Sequence, residues 1–166
     1  MTPNKHESYI LKIVYSRLWA ILRLKSANVS NDDILHFFNV KIRSVLEYAA
    51  PVFTSMLTVE NTTDIERIHK IALNDSYSTY ESACSTMETV TLTERRKHLS
   101  LTFALKCLQS KTHSHFFTQR KSTFYKLRKI KAFEDPLCHT ERYKSSPIPY
   151  LTSLFNEYYS TRIGSY

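Results

Sequence analysis

Residues 9–25 read YILKIVYSRLWAILRLK, and the spacing within them decides the fold. Leu11, Val14, Tyr15, Leu18, Ile21 and Leu22 recur at the three- and four-residue intervals of one helical face. Ile10, Ile13 and Trp19 widen that stripe, so the expectation is a helix buried on most sides with Trp19 packed inside. Outward from it, residues 26–31 (SANVSN) break the pattern. A second helix is expected from Asp32 or Asp33, whose carboxylates suit the positive end of a helix. Its apolar face is Leu35, Phe38, Ile42, Val45, Leu46 and Ala49, with Pro51 at or soon after its end. Thr63 with Glu66, and Thr91 with Glu94, form S/T-x-x-E boxes that predict two further starts. The first opens a helix carrying Ile65, Ile68 and Ala72, and the second a long one carrying Leu99, Leu101, Phe103, Leu105 and Leu108. A short helix over 77–83 and a last one over 150–158, docking through Leu151, Leu154 and Phe155, complete the pattern. With no sustained strand alternation, the fold class expected is all-α, an irregular helical bundle with a basic, partly disordered C-terminal segment.

Composition narrows the function classes. The 166 residues include a single glycine, Gly164, where usage of roughly 7% would give about a dozen. A glycine-rich phosphate loop, a dinucleotide fingerprint and Asn-Gly hairpins are thereby excluded. Apolar runs fall short of the ~20 residues of a membrane helix, and MTPNKHESY resembles no secretory leader, so neither is expected. Cys84, Cys107 and Cys138 form no C-x-x-C pair, which points to a reducing, intracellular compartment.

The formal charge is +8, and it is uneven. Residues 1–116 hold 14 basic and 11 acidic side chains; residues 117–166 hold 9 and 4. The division expected is a helical domain over 1–116, a basic flexible segment over 117–146, and a short helix and tail over 147–166. Arg120, Lys121, Lys126, Arg128, Lys129 and Lys131 are interleaved with Phe124 and Tyr125 and lack an apolar face. Cations for phosphates beside rings for unpaired bases make this stretch a candidate nucleic-acid contact, against the plain reading of a solubilising tail. Arg95, Arg96 and Lys97 lie near the start of the long helix, where the dipole disfavours cations. A phosphate or an acidic neighbour is therefore expected there, against the plain reading of a solvated face.

Catalytic patterns are weak. Asp32-Asp33 is an adjacent pair of the type that holds polymerase metals, but its helical context favours capping. Cys107, His113, His115, Cys138 and His139 include zinc-ligand types at poor spacing. No metal, cofactor or small-molecule substrate is expected.

Six segments stand in one order: YSRLWAILRLK (15–25), IRSVLEYAAPVF (42–53), DIERIHKIAL (64–73), YSTYESACST (77–86), LTERRKHLSLTFAL (92–105) and HTERYKSSPIPYLTSLFNE (139–157). Together they resemble the region after the polymerase palm in non-LTR retrotransposon reverse transcriptases, most of all the jockey-like elements of invertebrates. The resemblance implies the thumb and C-terminal part of an RNA-directed DNA polymerase, which grips template RNA and the primer duplex. Its recurrent positions are Arg17, Leu18, Trp19, Arg43, Glu47, Tyr48, Glu66, Arg67, Arg95 and Arg96, and no catalytic role is implied for any of them. The palm and its metal-binding aspartates have no counterpart in these residues, Phe53 stands where the family has tryptophan, and Asn74-Asp75-Ser76 replaces an apolar continuation after Leu73. The partners implied are RNA, single-stranded DNA or an RNA–DNA hybrid, without polymerase activity in this chain alone. The alternatives are a helical protein-interaction module or a remnant with no selected function.

Overall fold

Pro3, whose missing N–H is no loss in a first turn, opens a 24-residue helix, α1 (Pro3–Ser26). The computed structural model describes residues 3–73, 79–120 and 131–163. With no glycine at this helix end, Asn28 takes the left-handed position after α1 at φ 54°. Asn28 N–H donates to the Lys25 carbonyl and Val29 N–H to that of Leu24, which closes a Schellman end.

The buried stripe of α1 is Ile10, Val14, Leu18 and Ile21. Val14, Leu18 and Ile21 of the expected face are inside, and the rest of it is corrected. Tyr15 and Leu22 are exposed, and Trp19 is 61% exposed with the Arg23 guanidinium 4.6 Å from its ring centroid. The physical reason is that α1 carries apolar side chains on more sides than its neighbours cover, so periodicity alone did not select the inner face.

Ser30 caps the next helix, accepting from Asp33 N–H, and places Asp32 and Asp33 in the first turn of α2 (Asn31–Phe37). A π-helical segment (Phe38–Arg43) and α3 (Ser44–Glu47) continue it. Ile34, Phe38, Ile42 and Leu46, spaced by four, are all buried. Each four-residue step overshoots a 3.6-residue turn by about 40°. The wider turns of the π segment take back part of that drift and hold the four on one side. Ala49, at φ 55°, turns the chain into α4 (Ala50–Phe53).

Thr58 caps α5 (Val59–Ala72), accepting from Asn61 N–H. The box at Thr63 and Glu66 is therefore not a start, because Thr63 lies inside the helix and donates back to the Val59 carbonyl. Ile65, Ile68 and Ala72 are buried as expected. A reciprocal Thr79–Ser82 box opens α6 (Tyr80–Thr86) a little later than the expected 77–83, of which 77 and 78 lie outside the described residues. Thr91 does open α7 (Leu92–Gln109), accepting from Glu94 N–H. The buried residues of α7 are Leu92, Arg96, Ser100 and Ala104, whereas Phe103 is exposed. Leu101, Leu105 and Leu108 of the expected face do pack against the core of Ala104, Phe117, Phe133, Leu151 and Phe155; the correction is Phe103, and the two polar residues among the four most buried positions. α8 (Glu141–Lys144) and α9 (Pro147–Ile163) follow, and Leu151 and Phe155 dock α9 as expected.

The fold is all-α. Among the described residues the only extended pairing is an isolated antiparallel bridge, Gln119 to Phe133. Two compact units divide the chain: Met1–Ala50 with Leu57–Arg96, and Pro51–Met56 with Lys97–Tyr166. The core of the second joins Ala104, Phe117, Phe133, Leu151 and Phe155. Phe117 and Phe133, both within the stretch expected to be flexible, thus sit in a core. The buried Asn156 fixes Phe133, accepting from its N–H at 3.0 Å and donating to its carbonyl at 3.1 Å.

Candidate nucleic-acid interface

The start of α7 leaves three backbone N–H groups without intrahelical acceptors. Thr91 Oγ1 accepts from Glu94, and Glu66 of α5 takes the other two: Leu92 N–H at 3.3 Å on Oε2 and Thr93 N–H at 2.6 Å on Oε1. The same carboxylate accepts from Thr93 Oγ1 and from the Tyr80 hydroxyl, and lies 3.7 Å from Arg96 Nη2. Tyr80 OH is 2.7 Å from His69 Nδ1. A phenol has one proton, and this one goes to Glu66; Nδ1 is therefore the protonated nitrogen of His69 and donates to Tyr80. The His69 ring stacks on Phe38, with centroids 4.9 Å apart.

Burial sets the proton affinities here. It lowers His69 to about 4, outweighing the upward pull of Glu66, and Arg43 lowers it slightly further. Burial, and then the hydrogen bond to the Glu66 carboxylate, push the Tyr80 phenol far above its ordinary value. A second acidic centre lies nearby in sequence: Glu47 pairs with Arg95, and with Arg43 at 3.6 Å. Burial and then Arg95 lower Arg43, while Glu47 raises it.

The basic run at the start of α7 is thus divided. Arg96 is 2% exposed and paired with Glu66; Arg95 is half-exposed and paired with Glu47. The expected acidic neighbours are there, and both guanidiniums pair with them, that of Arg96 inside the fold. Lys97 is exposed and lines an open cleft of about 320 Å³ with His98, Leu101, Leu154, Glu157 and Tyr158. Sequence reasoning singled out the arginines but missed Glu47 and Glu66 as their partners, because the pairs are 48 and 30 positions apart.

In the C-terminal stretch, Arg120 and Lys131 are exposed, and Lys131 pairs with Asp135. Arg120 N–H donates to the Ala132 carbonyl and Glu134 N–H to that of Thr118, so the two ends of the stretch are held side by side. Lys121, Phe124, Tyr125, Lys126, Arg128 and Lys129 lie outside the described residues. The two units differ sharply in charge. The first holds 11 basic and 11 acidic residues, the second 12 and 4, so the whole surplus of +8 belongs to the second.

Among the described residues, no three His, Cys, Asp or Glu side chains are grouped to hold a metal ion, and no helix is long and apolar enough to cross a membrane. No family model matches the chain, and neither a curated protein nor a solved structure does.

Proposed function

We propose that the chain binds single-stranded RNA, single-stranded DNA or an RNA–DNA hybrid inside the cell through its second unit. In this reading it is the thumb and tail portion of a non-LTR, jockey-like reverse transcriptase, and it has no polymerase chemistry of its own. The partition of charge carries the proposal: a neutral first unit beside a second with a surplus of eight cations. Cation surplus is what releases counterions from a phosphate backbone. The collinear resemblance adds the class of ligand. Recurrent positions of that resemblance pair off inside the first unit, as Arg43 with Glu47, Glu47 with Arg95 and Glu66 with Arg96. Their role in this reading is to build the unit rather than to touch the ligand.

Salt dependence tests the proposal. Four neutralised phosphates on a single strand give a slope of log affinity against log salt near −3. Lys121, Lys126, Arg128 and Lys129 replaced together by Ala should flatten most of that slope without changing helix content. Lys131 is left in place because Asp135 already engages its charge. Equal affinity and slope in the fourfold variant would refute the assignment to this stretch.

A further inference from the structure

The outer face of α1 carries a second set of aromatic and basic residues, on a different element from the basic stretch. Tyr15 is 45% exposed, Trp19 61% and Leu22 52%, and Lys12 lies one turn before Tyr15. Four residues of helix rise about 6 Å, so Tyr15 and Trp19 stand one above the other on one stripe. Arg23, one turn further on, lies over the indole. Its charge is available there, because Arg23 is exposed. Between Tyr9 and Ser26 the sequence has four cations, Lys12, Arg17, Arg23 and Lys25, and no acidic residue. Two of them are engaged inward: Arg17 donates to the Lys41 carbonyl and Lys25 to that of Leu73. Lys12 and Arg23 remain on the face that bears the rings.

We propose that this face of α1 is a stacking platform for unpaired bases, taking single-stranded RNA or DNA. Rings accept a base on their planes regardless of its identity, and the guanidinium over the indole sets a cation beside that surface. Lys12 and Arg23 supply the charge complementary to the phosphates that accompany those bases. The absence of any carboxylate from 9 to 26 distinguishes the strip from the rest of a unit whose charges balance. The inference shares its class of ligand with the proposed function but none of its residues.

Trp19 is the only tryptophan of the chain, so its emission reports on this face alone. The full chain is titrated with oligo-uridine, whose bases are largely unstacked, and with the same strand annealed to oligo-adenosine. Saturable quenching by the single strand, much weaker with the duplex, is the expected result. Trp19→Ala should weaken single-strand binding by about tenfold with unchanged helix content, and Trp19→Phe should restore most of it. The fourfold tail variant should reach the same depth of quenching at higher strand concentration. Binding without quenching, with Trp19→Ala as tight as the native chain, overturns the platform and leaves the proposed function standing. Quenching that survives while the tail variant keeps its native salt slope overturns the tail assignment and leaves the platform standing. An emission shift that follows protein concentration without any strand identifies the face as a protein contact and overturns the platform, as does loss of all quenching at saturation of the tail variant.

Discussion

His69 stacks on Phe38 and donates its Nδ1–H to the Tyr80 hydroxyl, in surroundings that withhold water from a charge on the ring. Its proton affinity in the fold, lowered to about 4, lies below the ordinary value of 6.5. Between those two values the unfolded chain takes up a proton that the folded chain refuses, so stability falls as pH falls. The contribution is complete above about pH 6.5 and declines by about 1.4 kcal/mol per unit down to about pH 4. Moving from pH 7 to pH 5 should therefore remove about 2 kcal/mol, read as a lower urea midpoint. His69→Gln should abolish most of that difference; the same pH dependence in the variant would sink the assignment. Backbone conformation offers a second test at this scale. Glu88 occupies the left-handed position after α6 at φ 50°, with Glu88 N–H on the Ser85 carbonyl and Thr89 N–H on that of Cys84. Glycine fits that conformation without a Cβ clash, so Glu88→Gly should raise stability by about 0.5–1 kcal/mol in urea unfolding. A loss of stability would show that the Glu88 side chain does more than fill the position.

Between elements, one carboxylate ties three helices together: Glu66 of α5 receives α6 through Tyr80 and the first two N–H groups of α7. It also faces the buried guanidinium of Arg96. Removing one partner from a buried ion pair costs on the order of 3–5 kcal/mol, a large share of a typical domain's 5–15. Glu66→Ala should therefore come close to unfolding the first unit. Glu66→Gln, which keeps one acceptor oxygen and the shape, should lose less; a urea midpoint unchanged in both would refute the role. Asn156→Ala should cost about 1–3 kcal/mol, because the Phe133 N–H and carbonyl are left unsatisfied in a core. What the sequence made legible follows from this scale. The start at Thr91 was readable because a cap is a contact three residues long, but the same S/T-x-x-E spacing also occurs inside a helix, so Thr63 was mistaken for the start that Thr58 makes. The inner face of α7 was not readable, since Arg96 and Ser100 are polar and the first pairs with a carboxylate 30 positions away, besides donating to Thr93 of its own helix. Trp19 failed for the opposite reason: an apolar helix longer on side chains than on neighbours leaves some outside, and no spacing says which.

Across the whole molecule, the candidate site was legible as charge and illegible as geometry. Counting cations found the surplus in the C-terminal part, and the observed unit boundary between Arg96 and Lys97 sharpens it by placing every excess charge on one side. The same count takes no account of Glu47 and Glu66, the carboxylates from other helices with which Arg95 and Arg96 pair. Acidic residues require the same scrutiny when polymerase chemistry is considered. Two-metal phosphoryl transfer needs carboxylates that converge on a pair of ions about 4 Å apart. Asp32 and Asp33 do not form such a pair: they are in the first turn of α2, and Asp33 accepts from Ser30 through its Oδ2 while its own N–H is capped by Ser30. Their negative charge is favourable where it is, at the positive end of a helix. The purified chain should accordingly fail to extend a primer on an RNA template with Mg²⁺ or Mn²⁺, under conditions where it still binds that template with a steep salt slope. Extension is measured by labelled-nucleotide incorporation beside a mock purification. Incorporation above the mock that disappears in an Asp32→Asn, Asp33→Asn double variant of unchanged helix content would overturn the purely structural, first-turn role of this pair, in which Ser30 and not an aspartate is the cap. It would also overturn the reading of this chain as a binding module. Incorporation unaffected by the double variant would place the metal-binding carboxylates elsewhere and overturn the second reading alone.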